Sequence, residues 1–195
     1  MTPKKHQFYN RSRLDSMKRL LTILCLALLA SCSSDYQITG FDEGGDLLSD
    51  RYIVENGLVF QVNSQTPFTG SFGVYHNNGS LDRIPNYKDG ILNGPWEAYH
   101  ENGQLREKGD YKDGQKDGLF EEFDDNGQLE AKANRKDGEV GGLVELFHEN
   151  GQLNSRVNYI DGKLDGLHEY FDKYGNLIKT RTFRNEVWIE KNESS

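Results

Sequence analysis

Glycine returns every 24 residues along this chain, and that period constrains the fold more than any other feature. Gly70, Gly94, Gly118, Gly142 and Gly166 form one series, and Gly79, Gly103, Gly127, Gly151 and Gly175 form a second. Gly90, Gly114, Gly138 and Gly162 form a third, in which Glu186 takes the next place. Aromatic residues keep the same beat at Tyr75, Tyr99, Phe123, Phe147 and Phe171. They keep it again at Tyr87, Tyr111, Tyr159 and Phe183, with Arg135 as the exception. Leu81, Leu105, Leu129, Leu153 and Leu177 add a leucine column. Fixed self-similarity of this length marks a repeat architecture. Helical repeats are excluded, because Gly in a helix interior costs about 1 kcal/mol relative to Ala.

Each unit reads as two strands joined by tight turns. In the unit opening at Gly94, residues 95–100 form one strand, Glu101-Asn102-Gly103 turns, and Gln104–Tyr111 returns. Lys112-Asp113-Gly114 turns again toward the next unit; Asn-Gly and Asp-Gly tolerate the positive φ that hairpin turns need. A three-residue loop with Gly103 left-handed pairs Tyr99 with Leu105, Phe123 with Leu129 and Phe147 with Leu153, the cross-strand match that packing favours. Strict alternation then predicts a core face of Leu119, Leu143, Leu167, both aromatic columns and the leucine column. The opposite face is predicted to carry Arg106, Lys108, Lys132 and Arg156 beside a stripe of Phe72, Trp96, Phe120, Val144 and His168. The expected fold is all-β: an elongated antiparallel sheet of stacked 24-residue β-hairpin repeats. The array spans 51–190, with units starting at 70, 94, 118, 142 and 166. Residues 191–195 read as a frayed tail, with Trp188 and Ile189 capping the open end.

The pattern G-x-W/F-E-x-Y/F-x-x-N-G-x-L, followed by Y-x-D-G-x-x-x-G, resembles the second variant class of MORN repeats, typified in bacteria by the YwqK antitoxin family. Asn56-Gly57-Leu58 and Thr66-Pro67-Phe68-Thr69-Gly70 match the family's usual opening, so the resemblance covers about residues 51–188. It implies stacked antiparallel hairpins; it says little of function, because such repeats serve unrelated partners. The stretch Ala131–Gly142 departs from the pattern at Arg135 and at Val140-Gly141, where looser stacking is expected.

Ahead of the array lies an address. Met17-Lys18-Arg19 precedes the apolar run Leu20–Ala30, which is too short for the ~20 residues of a membrane-spanning helix and fits a secretory signal. Leu29-Ala30-Ser31-Cys32 resembles a bacterial lipobox, which implies cleavage before Cys32 and lipidation of its thiol. Residues 1–31 are therefore read as a lipoprotein signal peptide, with Met17 the expected start and 1–16 untranslated. Residues 32–50, rich in Asp and Glu with Gly44-Gly45, read as a flexible acidic tether. Ser33 favours the outer membrane over the inner one of a Gram-negative envelope, by the sorting rule for such lipoproteins.

Cleavage removes six Lys/Arg and one acid, so the net charge falls from −8 to −13. That argues against nucleic acid, which needs a basic face. Cys25 leaves with the signal, so Cys32 is the only remaining cysteine and no intrachain disulfide forms. His76, His100 and His148 share a column, but units two strands apart, roughly 10 Å, are too far for one metal. Asp113 with Asp117, and Asp161 with Asp165, suit turn hydrogen bonds better than calcium. The Glu97, Glu121, Glu145 and Glu169 column lacks a cleft. No catalytic residue, cofactor or metal is expected, and the chain is not expected to be an enzyme. The expected role is a membrane-anchored protein-interaction module, with the aromatics Phe72, Trp96 and Phe120 beside Arg106 and Lys108 as the partner-binding candidates. The alternative is an antitoxin or immunity protein, whose acidity would steer a basic toxin to it.

Overall fold

The computed structural model describes Gly40, Asp42 and residues 46–189. The signal segment, Cys32 and the tail 191–195 lie outside the described residues. A short 3-10 turn, Leu48–Asp50, leads into the hairpin of β1 (Tyr52–Glu55) and β2 (Leu58–Gln61). The first unit is split into β3 (Gly70–Ser71), β4 (Val74–Tyr75), β5 (Leu81–Ile84), β6 (Asn86–Lys88) and β7 (Ile91–Leu92). The second holds β8 (Gly94–Tyr99), β9 (Leu105–Lys112) and β10 (Gln115–Lys116), and the third β11 (Gly118–Phe123) and β12 (Leu129–Lys136). Then follow β13 (Glu139–Phe147), β14 (Leu153–Ile160), β15 (Lys163–Phe171), β16 (Leu177–Arg184) and β17 (Val187–Ile189). Strands β4, β5 and β8 to β17 join in a 12-stranded antiparallel sheet in near-sequential order, while β3, β6 and β7 form a separate three-stranded sheet.

The turns obey the expected chemistry. Gly103 donates to the carbonyl of His100 at 2.9 Å, and His100 donates to that of Gln104 at 2.8 Å. Gly103 has φ +86°, a conformation that costs other residues roughly 1–2 kcal/mol. The pairs Tyr99 with Leu105, Phe123 with Leu129, and Phe147 with Leu153 form as expected. At the other end, Asp113 and Gly114 both have positive φ, which suits the twist of a two-residue hairpin turn. The same turn joins the units. The N–H of Gly114 donates to the carbonyl of Leu92, Gly138 to Lys116, Gly162 to Val140, and Glu186 to Leu164, each reaching 22 residues back.

One feature overturns the predicted faces. Ala98 pairs with Glu107, but the next pair is Tyr99 with Leu105, so Arg106 is an extra residue. Such a bulge shifts the alternation by one from that point onward. Leu105 therefore shares a face with Tyr99, whereas Tyr111 crosses to the face of Trp96. The bulge recurs at Asp82, Glu130, Asn154 and Ile178. As a result Phe120 is 2% exposed and Tyr159 is buried, while Leu119, Leu143 and Leu167 are exposed at 46%, 44% and 48%. The face predicted as core is the outer one. The stripe predicted as exposed, together with the Tyr111 column, is the inner one.

The largest buried cluster lies at the N-terminal end. Leu48, Val59, Val74 and Tyr87 are buried there against Tyr52, Val54, Phe68, Phe72 and Leu92. Phe72 stacks between Tyr52 and Tyr87, with ring centroids 4.2 and 5.6 Å away. Residues at the end of the predicted tether belong to this cap: Leu48 is 1% exposed, and Asp42 pairs with Arg51 at 2.9 Å. The folded region thus begins before residue 51.

Candidate interaction site

The five residues named from sequence do not form one site. Phe72 is packed in the N-terminal cap. Trp96 is half-buried, its ring 5.2 Å from that of Tyr111, which lies 5.8 Å from the buried Phe120. Lys116 covers Phe120 from 4.4 Å. These aromatics are the interior of the inner face. Lys108 points to the outer face, where it meets Glu121 at 2.7 Å. Arg106 sits at its bulge, 3.4 Å from Asp82.

The outer face carries its own charge order. Glu97, Lys108, Glu121, Lys132, Glu145, Arg156 and Glu169 lie on seven neighbouring strands, each paired across to the next. Each cation is bonded to the glutamate of the following unit: Lys132 to Glu145 at 2.8 Å and Arg156 to Glu169 at 2.5 Å, as Lys108 is to Glu121. The same cations lie 5.5–5.6 Å from the rings of Phe123, Phe147 and Phe171. Sequence reasoning named both charge columns but put the cations on the face of the Phe120 stripe, because it missed the bulge.

The histidine column ties turn to turn. Nε2 of His76 bonds the carbonyl of Tyr99, that of His100 bonds Phe123, and that of His148 bonds Phe171, at 2.9–3.1 Å. Asn78, Asn102 and Asn150 donate in parallel to the carbonyls of Glu101, Asp125 and Lys173. In the third unit Asp124 instead accepts the N–H groups of Asn126 and Gln128 within its own turn. Those bonds hold its carboxyl below the usual range.

The C-terminal end differs from the capped N-terminal end. Tyr174, Leu177, Ile178, Val187, Trp188 and Ile189 are all exposed there, Tyr174 at 74%. Trp188 lies under the guanidinium of Arg181 at 5.3 Å but does not close the end, contrary to expectation. On the inner face beside it, His168 is 8% exposed and stacks on Tyr170 at 4.0 Å. Burial first, and Arg181 second, lower its pKa to about 4. Nε2 of His168 and Nε of Arg181 are buried without a hydrogen-bond partner.

Fold and site together define a β-hairpin repeat module. Three consecutive segments, residues 92–113, 116–137 and 141–161, match the family model of the MORN repeat variant. No curated protein matches the chain. Among solved structures, it is similar to a chain in the crystal structure of a GtfA/B complex bound to UDP and GlcNAc, with 18% identity and a TM-score of 0.25. That match covers 90% of this chain and 38% of the other, so this chain spans well under half the length of that one.

Proposed function

We propose that this chain is a lipid-anchored repeat module of a bacterial cell envelope, tethered through Cys32, whose hairpin array binds a protein partner and performs no catalysis. The observation that carries the binding role is the contrast between the two ends of the array. One end is closed by the β1–β2 hairpin and the Leu48 turn; the other leaves Leu177, Ile178, Val187, Trp188 and Ile189 open to solvent. Val187, Trp188 and Ile189 are three consecutive exposed apolar residues, and a contiguous exposed apolar patch marks an interaction site. The repeat match supports a module whose units serve as a scaffold. The anchoring role rests on the run Leu20–Ala30 followed by Leu29-Ala30-Ser31-Cys32. Stable attachment then takes more than one acyl chain, as lipoproteins carry.

Two measurements test the two halves separately. Detergent phase partitioning of the wild type and of Cys32→Ser reads the anchor; the variant is expected to leave the detergent phase, and unchanged partitioning refutes lipidation. A photo-crosslinking residue placed at Val187 in intact cells is expected to capture one protein, and the same probe at Glu55 none. Equal capture, or none at all, refutes partner binding at the open end.

A further inference from the structure

We propose that Asn126-Gly127 is a site of spontaneous covalent modification, at which the folded chain loses ammonia from Asn126 ahead of the matching asparagines of its other hairpin turns. Asparagine followed by glycine is the pair most prone to this reaction, because no side chain shields the glycine nitrogen. Four of the three-residue turns carry it, at Asn78-Gly79, Asn102-Gly103, Asn126-Gly127 and Asn150-Gly151, and the fifth has Tyr174-Gly175. Asn56-Gly57 sits in the two-residue turn between β1 and β2, and Asn93-Gly94 leads into β8, so neither shares this geometry. In all four turns the glycine N–H donates to the carbonyl three residues back, at 2.8–3.0 Å. The nucleophile is held alike in each; what differs is the amide it attacks.

In three of the turns both ends of that amide are tied. Nδ2 of Asn78, Asn102 and Asn150 donates to a carbonyl of the next hairpin, at 3.1, 2.6 and 2.7 Å. Oδ1 of each accepts the N–H two residues on, from Ser80, Gln104 and Gln152, at 2.9–3.1 Å. The third turn has neither tie. Asp124 stands where the others have His76, His100 and His148, and its carboxylate takes the N–H of Gln128 at 2.8 Å. Asp125 follows it, short enough to draw Nδ2 of Asn126 back onto its own Oδ1 at 3.0 Å. Among the described residues, that exposed contact is the one hydrogen bond of the Asn126 side-chain amide.

The reaction needs the amide carbon to swing over the main chain. The Gly127 nitrogen gives up its proton and attacks Cγ of Asn126. The bond from Cγ to Nδ2 breaks, and the amide nitrogen leaves as ammonia with a proton relayed by water, closing a five-membered imide. Water then opens the imide at either carbonyl, which restores the main-chain N–H and leaves an aspartate or an isoaspartate. In the tied turns both bonds must break before the swing. Each has the usual net value of a hydrogen bond, so together they slow the step by about ten-fold. The product puts a further negative charge beside Asp124 and Asp125. Its isoaspartate form also lengthens the main chain inside a turn whose Gly127 holds φ +81°.

The test is tandem mass spectrometry of tryptic peptides from the full-length chain, incubated folded in mildly alkaline buffer for timed intervals. Asn126 is expected to convert about ten-fold faster than Asn78, Asn102 and Asn150, and the gap is expected to close in urea. Asp124→His with Asp125→Glu gives the third turn the His-Glu-Asn-Gly-Gln sequence of units two and four, and is expected to slow Asn126 to their rate. The reverse exchange, His100→Asp with Glu101→Asp, is expected to raise Asn102 to the rate of Asn126 while Asn150 stays slow, a selectivity that misfolding cannot produce. Equal rates at the four sites in the folded chain, a gap that persists in urea, or no slowing of Asn126 in the exchanged turn overturns the proposal.

Discussion

The imidazole Nε2 of His100 donates to the backbone carbonyl of Phe123 in the next hairpin, at 2.9 Å. The bond turns a loop residue into a fastener between repeats. At His148 the same arrangement is fixed by the other ring nitrogen, Nδ1, which lies 3.3 Å from the side-chain amide of Asn154. His100→Ala is expected to lower stability by about 1 kcal/mol, the usual net value of one such bond. Urea unfolding of the two proteins reads it, and an unchanged midpoint would show the bond to be idle.

Gly127 has φ +81°, and a Cβ there would lie 3.0 Å from Oε1 of Gln104. Gly127→Val combines a β-branched residue with a left-handed backbone. The expected loss is about 1–2 kcal/mol, above the roughly 0.5 kcal/mol of ordinary surface changes. A smaller loss would mean that the turn relaxes to another form.

Trp96→Ala with Phe120→Ala is expected to destabilise sharply, because Phe120 is buried against Tyr111 and under Lys116. Burial of this kind makes the Phe120 change alone worth about 3–5 kcal/mol. Thermal melts of the single and double variants check it; a double variant as stable as the wild type would return these rings to the surface.

His168 makes stability depend on pH. Its folded pKa of about 4 lies below the ordinary value near 6.5, so the unfolded chain binds the proton first. Stability is complete above about pH 6.5 and is lost as the pH falls toward 4. His168→Phe is expected to shrink the loss between pH 7 and pH 5, read from urea midpoints at the two values. The same loss in both proteins would assign the dependence to other groups.

Deleting residues 118–141 removes one whole period and rejoins Asp117 to Gly142 in phase. Each unit touches only its neighbours, so a β-type circular dichroism spectrum with a cooperative melt is expected. A collapsed spectrum would show that the third unit is not interchangeable.

The glycine series and the pairing of Leu105 with Tyr99 were legible in the sequence because turn chemistry and cross-strand packing each leave residue-type marks. The faces were not legible. The bulge residue is Asp82, Arg106, Glu130, Asn154 and Ile178 in successive units, five residue types with no shared signature. One unmarked residue moved the Tyr111 column to the other side of the sheet and split the named site, leaving Lys108 outside and Phe120 inside. The cap was half legible: Leu47-Leu48 amid acidic residues was the apolar signal that a tether does not need.

The turn bonds that reach back 22 residues also set how the chain is born. Hairpin pairing and the tie to the preceding unit both close within roughly a tenth of the chain length, the regime of fast folders. A hairpin therefore has all its upstream partners in place as soon as its own turn has emerged. Folding can advance from the N-terminal cap one repeat at a time, each completed hairpin serving as the template for the next.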